Sequence, residues 1–485
     1  MLLNMKKISL IIFFVLNFSQ VSPQNNEGYK KFKNEKFNTK FHMLNSVLFG
    51  GIDQKGLSFR SRFKKNHLSW KRLNKKILTI VENDSCKSTD CSNYVHDYAK
   101  STNSNISYSY NTYILYSGID GFNKQLKLIK EAKKSIYIST WAIYDDETGF
   151  LLKEKLLEKV RTNKLIDIRI IVDGQVSERK LHNKILDNLE IESEGLIKII
   201  RWRTKPYRAN GNHRKLFIVD GLKCVLGGKN YGNMYSHISG AVFWQDVDVF
   251  IDGSAAMDTY NIFAEIWNEQ VKNNKLVKYF DLIPKVSKVN RAPNLLKTIP
   301  VVINNHNPGT KNRKADQNIT TGIVKLISEA KKSIVIENAY FIMTTPFKSA
   351  IKKAIHKGVK IRLLTNSEAS LNEVVLSNPI LTSSLEAAKL GVEVYLKKGA
   401  SLHSKYLVVD DKIAMVGSFN FQPRSYYYEG ELVAVFFDTI ISKKLVNKFN
   451  ENIKPEKADK LINRDIQIKD NFRAKLARIF FFNQL

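Results

Sequence analysis

Two stretches of the sequence carry the same polar residues at the same spacing. The first reads NHRKLFIVDGLKCVLGGKN over residues 212–230, and the second reads LHSKYLVVDDKIAMVGSFN over residues 402–420. A histidine can attack an electrophile or move a proton, a lysine can stabilise negative charge, and an asparagine can donate hydrogen bonds. One such stretch would fit any half-buried strand. Two stretches with one spacing indicate a duplicated functional unit.

The matched positions of the two stretches are the candidate site residues. The histidine and the final asparagine are seventeen residues apart in both copies. The pairs are His213 and His403, Lys215 and Lys405, Asp220 and Asp410, and Asn230 and Asn420.

The repeat extends upstream of both stretches and indicates the fold class. LIKEAKKSIYIST (128–140) parallels LISEAKKSIVIEN (326–338), and LIDIRIIVDG (165–174) parallels GVKIRLLTNS (358–367). Each half alternates helices with β-branched strands and ends in a β-hairpin that the His-x-Lys opens, which predicts an α/β fold. We expect two pseudo-twofold-related lobes, each a mixed β-sheet flanked by helices, with the active site at the lobe interface.

Composition shifts divide the chain into six predicted segments. In chain order these are a signal peptide or signal anchor (1–24), a basic N-terminal region of unknown role (25–110), the first lobe (111–295), an inter-lobe connection (296–320), the second lobe (321–440) and a basic C-terminal segment (441–485).

The N-terminus and the charge predict an exported protein that is attracted to polyanions. Lys6 and Lys7 precede the apolar run ISLIIFFVLNF and a polar exit, which is typical of a signal peptide. A periplasmic location, the outer face of the inner membrane, or secretion would follow. The formal net charge of +31 favours nucleic acid or anionic lipid headgroups as partners. Cys86 and Cys91 could close a small loop in an oxidising compartment.

The two motifs resemble the paired H-x-K-x4-D signatures of the phospholipase D superfamily. The resemblance covers residues 113–438 and includes the trailing GGKN and GSFN. GSFNFQPRS (417–425) and FWQDVDVFIDG (243–253) are most similar to the cardiolipin-synthase-like branch. The resemblance implies a phosphodiesterase that acts on phospholipids through a covalent phosphohistidine, by phospholipase D hydrolysis or by cardiolipin-synthase-type phosphatidyl transfer.

The motif residues suit a phosphodiester, which is anionic and resists anionic nucleophiles. Lys215 and Lys405 are expected to stabilise the phosphoryl oxygens, so that neither a metal nor another cofactor is required. The resemblance implies that His213 is the nucleophile and His403 the general acid and base, although the symmetry of the sequence leaves that assignment open. Hydrogen-bond donors to the phosphate are expected from Asn230, Asn420 and Ser418.

Four carboxylates accompany the motifs in two different roles. Asp246 and Glu431 follow the two motifs at similar distances, and we expect each to orient a histidine across the pseudo-twofold axis. Asp220 and Asp410 complete the motifs and are grouped with the catalytic residues. Their position at the start of each hairpin turn nevertheless favours a structural or supporting role.

Two substrate classes remain open on the sequence. Anionic phospholipid, or a membrane surface, agrees with the cardiolipin-synthase-like details. The alternative is an exported, metal-independent endonuclease of the same superfamily, for which the basic charge would favour nucleic acid. Nucleases of the superfamily are typically short single-motif chains that dimerise, whereas this chain holds both motifs, so a monomer would suffice for a complete site.

Overall fold

The two halves of the repeat join into one β-sheet that helices cover on both faces. The computed structural model describes residues 59–82, 87–177, 184–203, 210–240, 242–287, 298–309, 315–373 and 376–462. Within these ranges, sixteen strands belong to a single sheet. The predicted α/β class and two-lobe arrangement are confirmed, but the lobes share a continuous sheet rather than carrying one each.

Two helices precede the first lobe, which then runs from β1 to α8. The leading helices are α1 (Phe59–Glu82) and α2 (Tyr94–Ser101). The first lobe comprises β1 (Ile106–Leu115), α3 (Gly118–Glu131), β2 (Ser135–Thr140), α4 (Glu147–Thr162), β3 (Asp167–Asp173), α5 (Gly174–Ser177), α6 (Lys184–Glu192), β4 (Ile197–Trp202), β5 (Gly211–Asn212), β6 (Leu216–Val219), β7 (Lys223–Gly227), α7 (Asn233–Ser236), β8 (Asp248–Gly253) and α8 (Ser254–Asn273).

The second lobe repeats this order of strands. It comprises β9 (Ile299–His306), α9 (Asn318–Glu329), β10 (Ser333–Asn338), α10 (Thr345–His356), β11 (Lys360–Asn366), α11 (Ser377–Leu390), β12 (Glu393–Lys397), β13 (Lys405–Val409), β14 (Ile413–Gly417), α12 (Pro423–Tyr427), β15 (Glu429–Phe437), α13 (Thr439–Asn452) and β16 (Ala458–Lys460).

The strand order displays the pseudo-twofold relation of the lobes. It runs β16-β12-β11-β10-β13-β14-β15-β9-β1-β8-β7-β6-β2-β3-β4, and the antiparallel pair β9–β1 joins the halves. In each half, three parallel strands adjoin an antiparallel hairpin. Strand β9 therefore lies inside the predicted connection (296–320), and α13 and β16 extend the second lobe into the predicted C-terminal segment.

Alternation along the strands supplies apolar side chains to both faces of the sheet. In β10, Ile334 and Ile336 pack into a core under α9 and α10, whereas Val335 faces a second core that α8 and α13 cover. In β2, Ile136 and Ile138 likewise face a third core, under α3, α4 and α6. Packing on both faces therefore fixes the C-terminal ends of β2 and β10. These ends pair with β6 and β13, the strands at which the two motifs begin.

Both hairpin turns place motif residues in the left-handed region. Asp220 and Gly221 have φ of 53° and 70°, and Asp410 and Asp411 have φ of 54° and 56°. Two successive positive φ values characterise the turn type that matches the twist of a two-stranded hairpin. The sequence signals Asp-Gly and Asp-Asp-Lys therefore predicted these turns correctly.

The leading helices pack on the second lobe. Ile77, Val81 and Tyr98 are buried in its core, and the Tyr98 hydroxyl donates to Asn304 Oδ1 at 2.7 Å. Cys91 is disulfide-bonded, whereas Cys86 and the predicted signal segment lie outside the described residues. None of the helices in the described ranges combines the length and apolarity that a membrane crossing requires.

Candidate active site

The backbone of each motif is hydrogen-bonded to the opposite lobe. Strand β5, directly before His213, pairs in parallel with the start of β15, and His213 N donates to Gly430 O at 2.8 Å. In the other half, His403 N donates to Gln245 O at 2.7 Å. The histidines and lysines of both motifs are buried. The two motifs therefore sit at the lobe interface, held by matching contacts.

Each motif histidine contacts a carboxylate from the other lobe. His213 Nδ1 lies 3.0 Å from Glu431 Oε1 and 3.2 Å from its Oε2. His403 Nδ1 lies 2.6 Å from Asp246 Oδ2. The structure thus brings together the two histidines and the two carboxylates that the sequence indicated, in crossed pairs.

An ionised carboxylate can only accept, so each contact places a proton on Nδ1 and leaves Nε2 unprotonated in the neutral ring. Lys405 Nζ also lies 2.9 Å from His403 Nδ1, but it cannot donate there while Nδ1 carries a proton. The lysine protons have another acceptor, because Lys215 donates to His213 O at 2.7 Å and Lys405 donates to His403 O. Both imidazoles are therefore oriented with a free Nε2.

Burial keeps both imidazoles neutral near pH 7. It lowers the pKa of His213 well below its usual value, and Lys215 adds to that effect. Burial and the Lys405 ammonium lower the pKa of His403 to about 3, against the opposing effect of Asp246. A neutral imidazole is the form that can attack an electrophile.

The two lysines and the two carboxylates respond differently to the same burial. Burial lowers the pKa of Lys215 to about 7 and that of Lys405 to about 8. It raises the pKa of Glu431 to about 7. It would also raise that of Asp246, but attraction to His403 and Lys405 outweighs burial and holds the pKa at about 2.

The three predicted phosphate donors differ in what their side chains contact. The Ser418 hydroxyl donates to Glu431 Oε2 and so supports the carboxylate beside His213, and its contact with the phosphate stays a prediction. Asn230 donates to the Tyr235 hydroxyl at 3.1 Å. Asn420 Oδ1 is buried and accepts no hydrogen bond from the described residues.

Asp220 and Asp410 lie at the opposite end of the hairpins from the histidines. Asp220 accepts backbone hydrogen bonds from residues 133–135, at distances of 2.7 to 3.2 Å. Asp410 accepts the equivalent bonds from residues 331–333 and a further one from Thr89 Oγ1 at 2.6 Å. Grouping these aspartates with the catalytic residues is therefore wrong, because they tie each hairpin turn to the start of a central strand.

Aromatic rings, which the motifs did not indicate, line the two halves unequally. Trp141 meets His213 edge-on, with ring centroids 5.5 Å apart. Three rings surround His403: Tyr235 at 5.1 Å, Trp244 at 5.6 Å and Tyr340 at 6.4 Å. Only Trp244 had a sequence signal, since it lies in FWQDVDV.

One group of side chains near His213 has the composition of a metal site. His213, Glu429 and Glu431 each offer a ligand atom, and these atoms lie within 4.8 Å of one another. The carboxylates already have protein partners, because Glu429 pairs with Arg424 at 2.6 Å and Glu431 accepts from His213 and Ser418. The metal-free reaction remains a prediction.

The comparisons with known proteins agree with this geometry. Two histidine–lysine motifs that meet on a duplicated α/β sheet, each histidine contacting a carboxylate of the other lobe, define an enzyme of the phospholipase D type. The family model described as "Cardiolipin synthase, PLD-like domain" matches residues 126–267 and 323–453, one match in each lobe, and the chain belongs to that family.

Named relatives are cardiolipin synthases. The chain is 28% identical over 346 residues to "Major cardiolipin synthase ClsA" of Bacillus subtilis, covering 70% of this chain and 68% of the relative. It is 28% identical over 375 residues to "Cardiolipin synthase 1" of Staphylococcus aureus, covering 75% and 71%. The structure of phosphatidylserine synthase from Haemophilus influenzae shares the fold, with a TM-score of 0.60 at 15% identity over 80% of this chain and 97% of that one.

These relatives also correct the predicted location. The predicted export, whether periplasmic, on the outer face of the inner membrane or secreted, is wrong, because it disagrees with the similarity to these bacterial cardiolipin synthases.

Proposed function

We propose that the protein is a phosphatidyltransferase of the cardiolipin synthase type, which moves a phosphatidyl group between lipid alcohols through a phosphohistidine. The observation that carries the proposal is the pair of crossed contacts, His213 with Glu431 and His403 with Asp246. A single chain supplies both halves, so a monomer suffices. The names of the relatives supply the substrate class.

In the first step, His213 Nε2 attacks the phosphorus of the donor lipid. The bond from phosphorus to the leaving alcohol breaks, and His403 Nε2 gives that oxygen a proton. The bound phosphodiester brings negative charge next to His403, which favours the imidazolium form opposite ionised Asp246. Lys215 and Lys405 stabilise the charge on the other phosphoryl oxygens.

In the second step, an acceptor alcohol replaces the one that left. Its hydroxyl loses a proton to His403 Nε2 and its oxygen attacks phosphorus, while the bond to His213 breaks. The product is a new phosphodiester, His213 is again a neutral imidazole, and His403 has regained as an imidazolium the proton that it gave up in the first step. Water in place of the alcohol would give hydrolysis.

The aromatic surroundings of His403 favour an alcohol on an apolar molecule over water. Tyr235, Trp244 and Tyr340 lie around the imidazole that must accept the incoming proton. Rings of this kind exclude water and accept an apolar body with a polar end. This supports phosphatidyl transfer over the hydrolase alternative.

The endonuclease alternative has one feature in its favour, the formal net charge of +31. The same charge would hold an enzyme on an anionic bilayer, where its substrates lie. The charge therefore does not separate the two, and the family match favours the lipid.

The test offers both substrate classes to the purified full-length chain in EDTA. One arm contains phosphatidylglycerol vesicles, and the other contains a plasmid and a short single strand. Each arm has a matched His403→Ala control. We expect cardiolipin and glycerol from the vesicles in excess over phosphatidic acid, intact nucleic acid, and no product from the control. Cleaved plasmid with unchanged vesicles would contradict the proposal.

A further inference from the structure

A buried carboxylate that the proposed chemistry does not use lies next to the His403 half of the site. Glu337 is the penultimate residue of β10, and its exposed fraction is 1%. Four side chains donate hydrogen bonds to it. They are Gln245 (2.9 Å), Ser404, Tyr406 (2.8 Å) and Asn452 (3.0 Å).

The two oxygens of Glu337 face different parts of the molecule. Oε1 accepts from Gln245 of the first lobe and from Ser404, the residue between the histidine and lysine of the second motif. Oε2 accepts from Tyr406 in β13 and from Asn452 at the end of α13. Glu337 therefore connects the lobe interface on one side with the second-lobe core on the other.

Gln245 is the residue whose backbone holds the second motif. Its carbonyl accepts from His403 N at 2.7 Å and from Ser404 N at 3.1 Å, and its N–H donates to Ser401 O at 2.9 Å. The next residue is Asp246, whose carboxylate contacts His403 Nδ1. Glu337 holds the Gln245 side chain in place. It therefore also fixes the Gln245 carbonyl, which accepts from His403 N, and the neighbouring Asp246, which contacts His403 Nδ1.

We propose that Glu337 is a positioning residue for the general acid and base, acting through Gln245 and Ser404 to align His403 with Asp246. This inference rests on the proposed function, because it concerns the histidine that exchanges protons with the alcohols. The hydrogen-bond partners of Glu337 among the described residues include neither imidazole, so its effect is on geometry rather than on the reacting atoms.

Among the described residues of the His213 half of the site, the positions that match Glu337 and Gln245 hold neither a carboxylate nor an amide side chain. Ser139 occupies the matching position in β2 and accepts from Asn212 Nδ2 at 3.0 Å. Gly430 matches Gln245 and has no side chain, and a Cβ there would lie 2.0 Å from Arg214 Nη1. Glu337 therefore supports one half of the site alone, and its loss should affect one of the two chemical roles.

The test separates proton donation from nucleophilic attack by changing the leaving group. An alkyl alcohol such as glycerol needs a proton to leave, whereas p-nitrophenolate does not. We would measure single-turnover release of glycerol from phosphatidylglycerol and of p-nitrophenol from phosphatidyl-p-nitrophenol, in mixed micelles. Wild type, Glu337→Gln and His403→Ala would be compared.

We expect Glu337→Gln to slow glycerol release about 10- to 100-fold, a part of the general-acid contribution, and to leave the p-nitrophenol burst within about threefold of wild type. The amide keeps the volume of Glu337 but turns an NH2 group towards donors. Equal losses on both leaving groups would indicate a purely structural role and overturn the inference.

Two further variants keep the inference testable if Glu337→Gln does not fold. Gln245→Leu removes one donor to Oε1 and should reproduce the leaving-group effect. Tyr406→Phe removes one donor to Oε2 and should lower the melting temperature without changing the ratio of the two rates. If Gln245→Leu releases glycerol and p-nitrophenol in the same ratio of rates as wild type, the inference is contradicted.

Failure of the proposed function would look different from failure of this inference. If His403 is not the acid, His403→Ala will itself show no dependence on the leaving group. If only the inference is wrong, His403→Ala will show that dependence while the Glu337 and Gln245 variants do not.

Discussion

The His213 and His403 halves of the site share a backbone arrangement but differ in the side chains that support it. Both imidazoles use Nδ1 to contact a carboxylate from the other lobe. Around His213, polar supports accompany the Trp141 ring: Ser418 donates to Glu431, and buried Arg214 fixes the strand segment beside Gly430. Around His403 they are three aromatic rings and the Glu337–Gln245 connection. The same backbone arrangement can therefore serve two histidines that have different roles.

The carboxylates that orient the two histidines also differ in their pKa values. Burial raises the pKa of Glu431 to about 7, so the partner of His213 titrates near neutral pH. The pKa of Asp246 is about 2, so the partner of His403 stays ionised. A permanently charged carboxylate suits the histidine that must become an imidazolium.

The largest expected effect comes from removing either histidine. His213→Ala and His403→Ala should each lower kcat by about 10⁴-fold or more, because each removes a reacting group. The halves differ in what accumulates: with phosphatidyl-p-nitrophenol, His403→Ala should retain a phosphatidyl adduct on His213, detectable by mass spectrometry at alkaline pH. An adduct on His403 in the His213→Ala variant would exchange the two roles.

Removing either lysine should have the next largest effect. Lys215→Ala and Lys405→Ala should each lower kcat about 10²- to 10³-fold through lost stabilisation of phosphoryl charge. Lys229→Ala is not a suitable control, because Lys229 is buried. Lys127→Ala, an exposed lysine of α3, should retain wild-type rates. Full activity in either motif variant would contradict a shared anion site.

The pH dependence should reveal Glu431 and the lysines. Protonation of Glu431 below pH about 7 removes the acceptor for His213 Nδ1–H, so kcat/KM should fall as pH falls. Lys215 loses its proton above pH about 7 and Lys405 above pH about 8, and each loss removes a cation, so kcat/KM should fall again as pH rises and should peak near pH 7. Glu431→Gln should be slow and should lose the acidic limb. An unchanged acidic limb in that variant would assign it to another group.

The smallest effect is on stability and concerns a second difference between the lobes. The first lobe buries Lys229 against Asp248 at 3.7 Å, where the second lobe has Phe419 and Val433. Lys229→Met should cost about 3 kcal/mol of unfolding free energy, because it leaves Asp248 buried without its cation. Adding Asp248→Val should recover most of that loss, measured by urea denaturation. A double variant no more stable than the single one would refute this reading.

The sequence predicted what depends on local spacing. The hairpins, their turns and the strand ends that carry His213 and His403 follow from short patterns repeated twice. The contact of Ser418 with Glu431 had no sequence signal, because the two residues meet only through the pairing of β14 with β15. Glu337 gave no signal at all, since its four donors come from three distant segments that meet only in the folded chain. The orienting contacts join residues 218 and 157 positions apart.

The crossed pairing of histidines and carboxylates also controls when the enzyme becomes active during its synthesis. A chain that has left the ribosome only as far as the first lobe contains His213, but Glu431 has not yet been translated. The same nascent chain contains Asp246 without its histidine. If catalysis needs both crossed pairs, as proposed, it can therefore begin only after the second lobe has docked on the first.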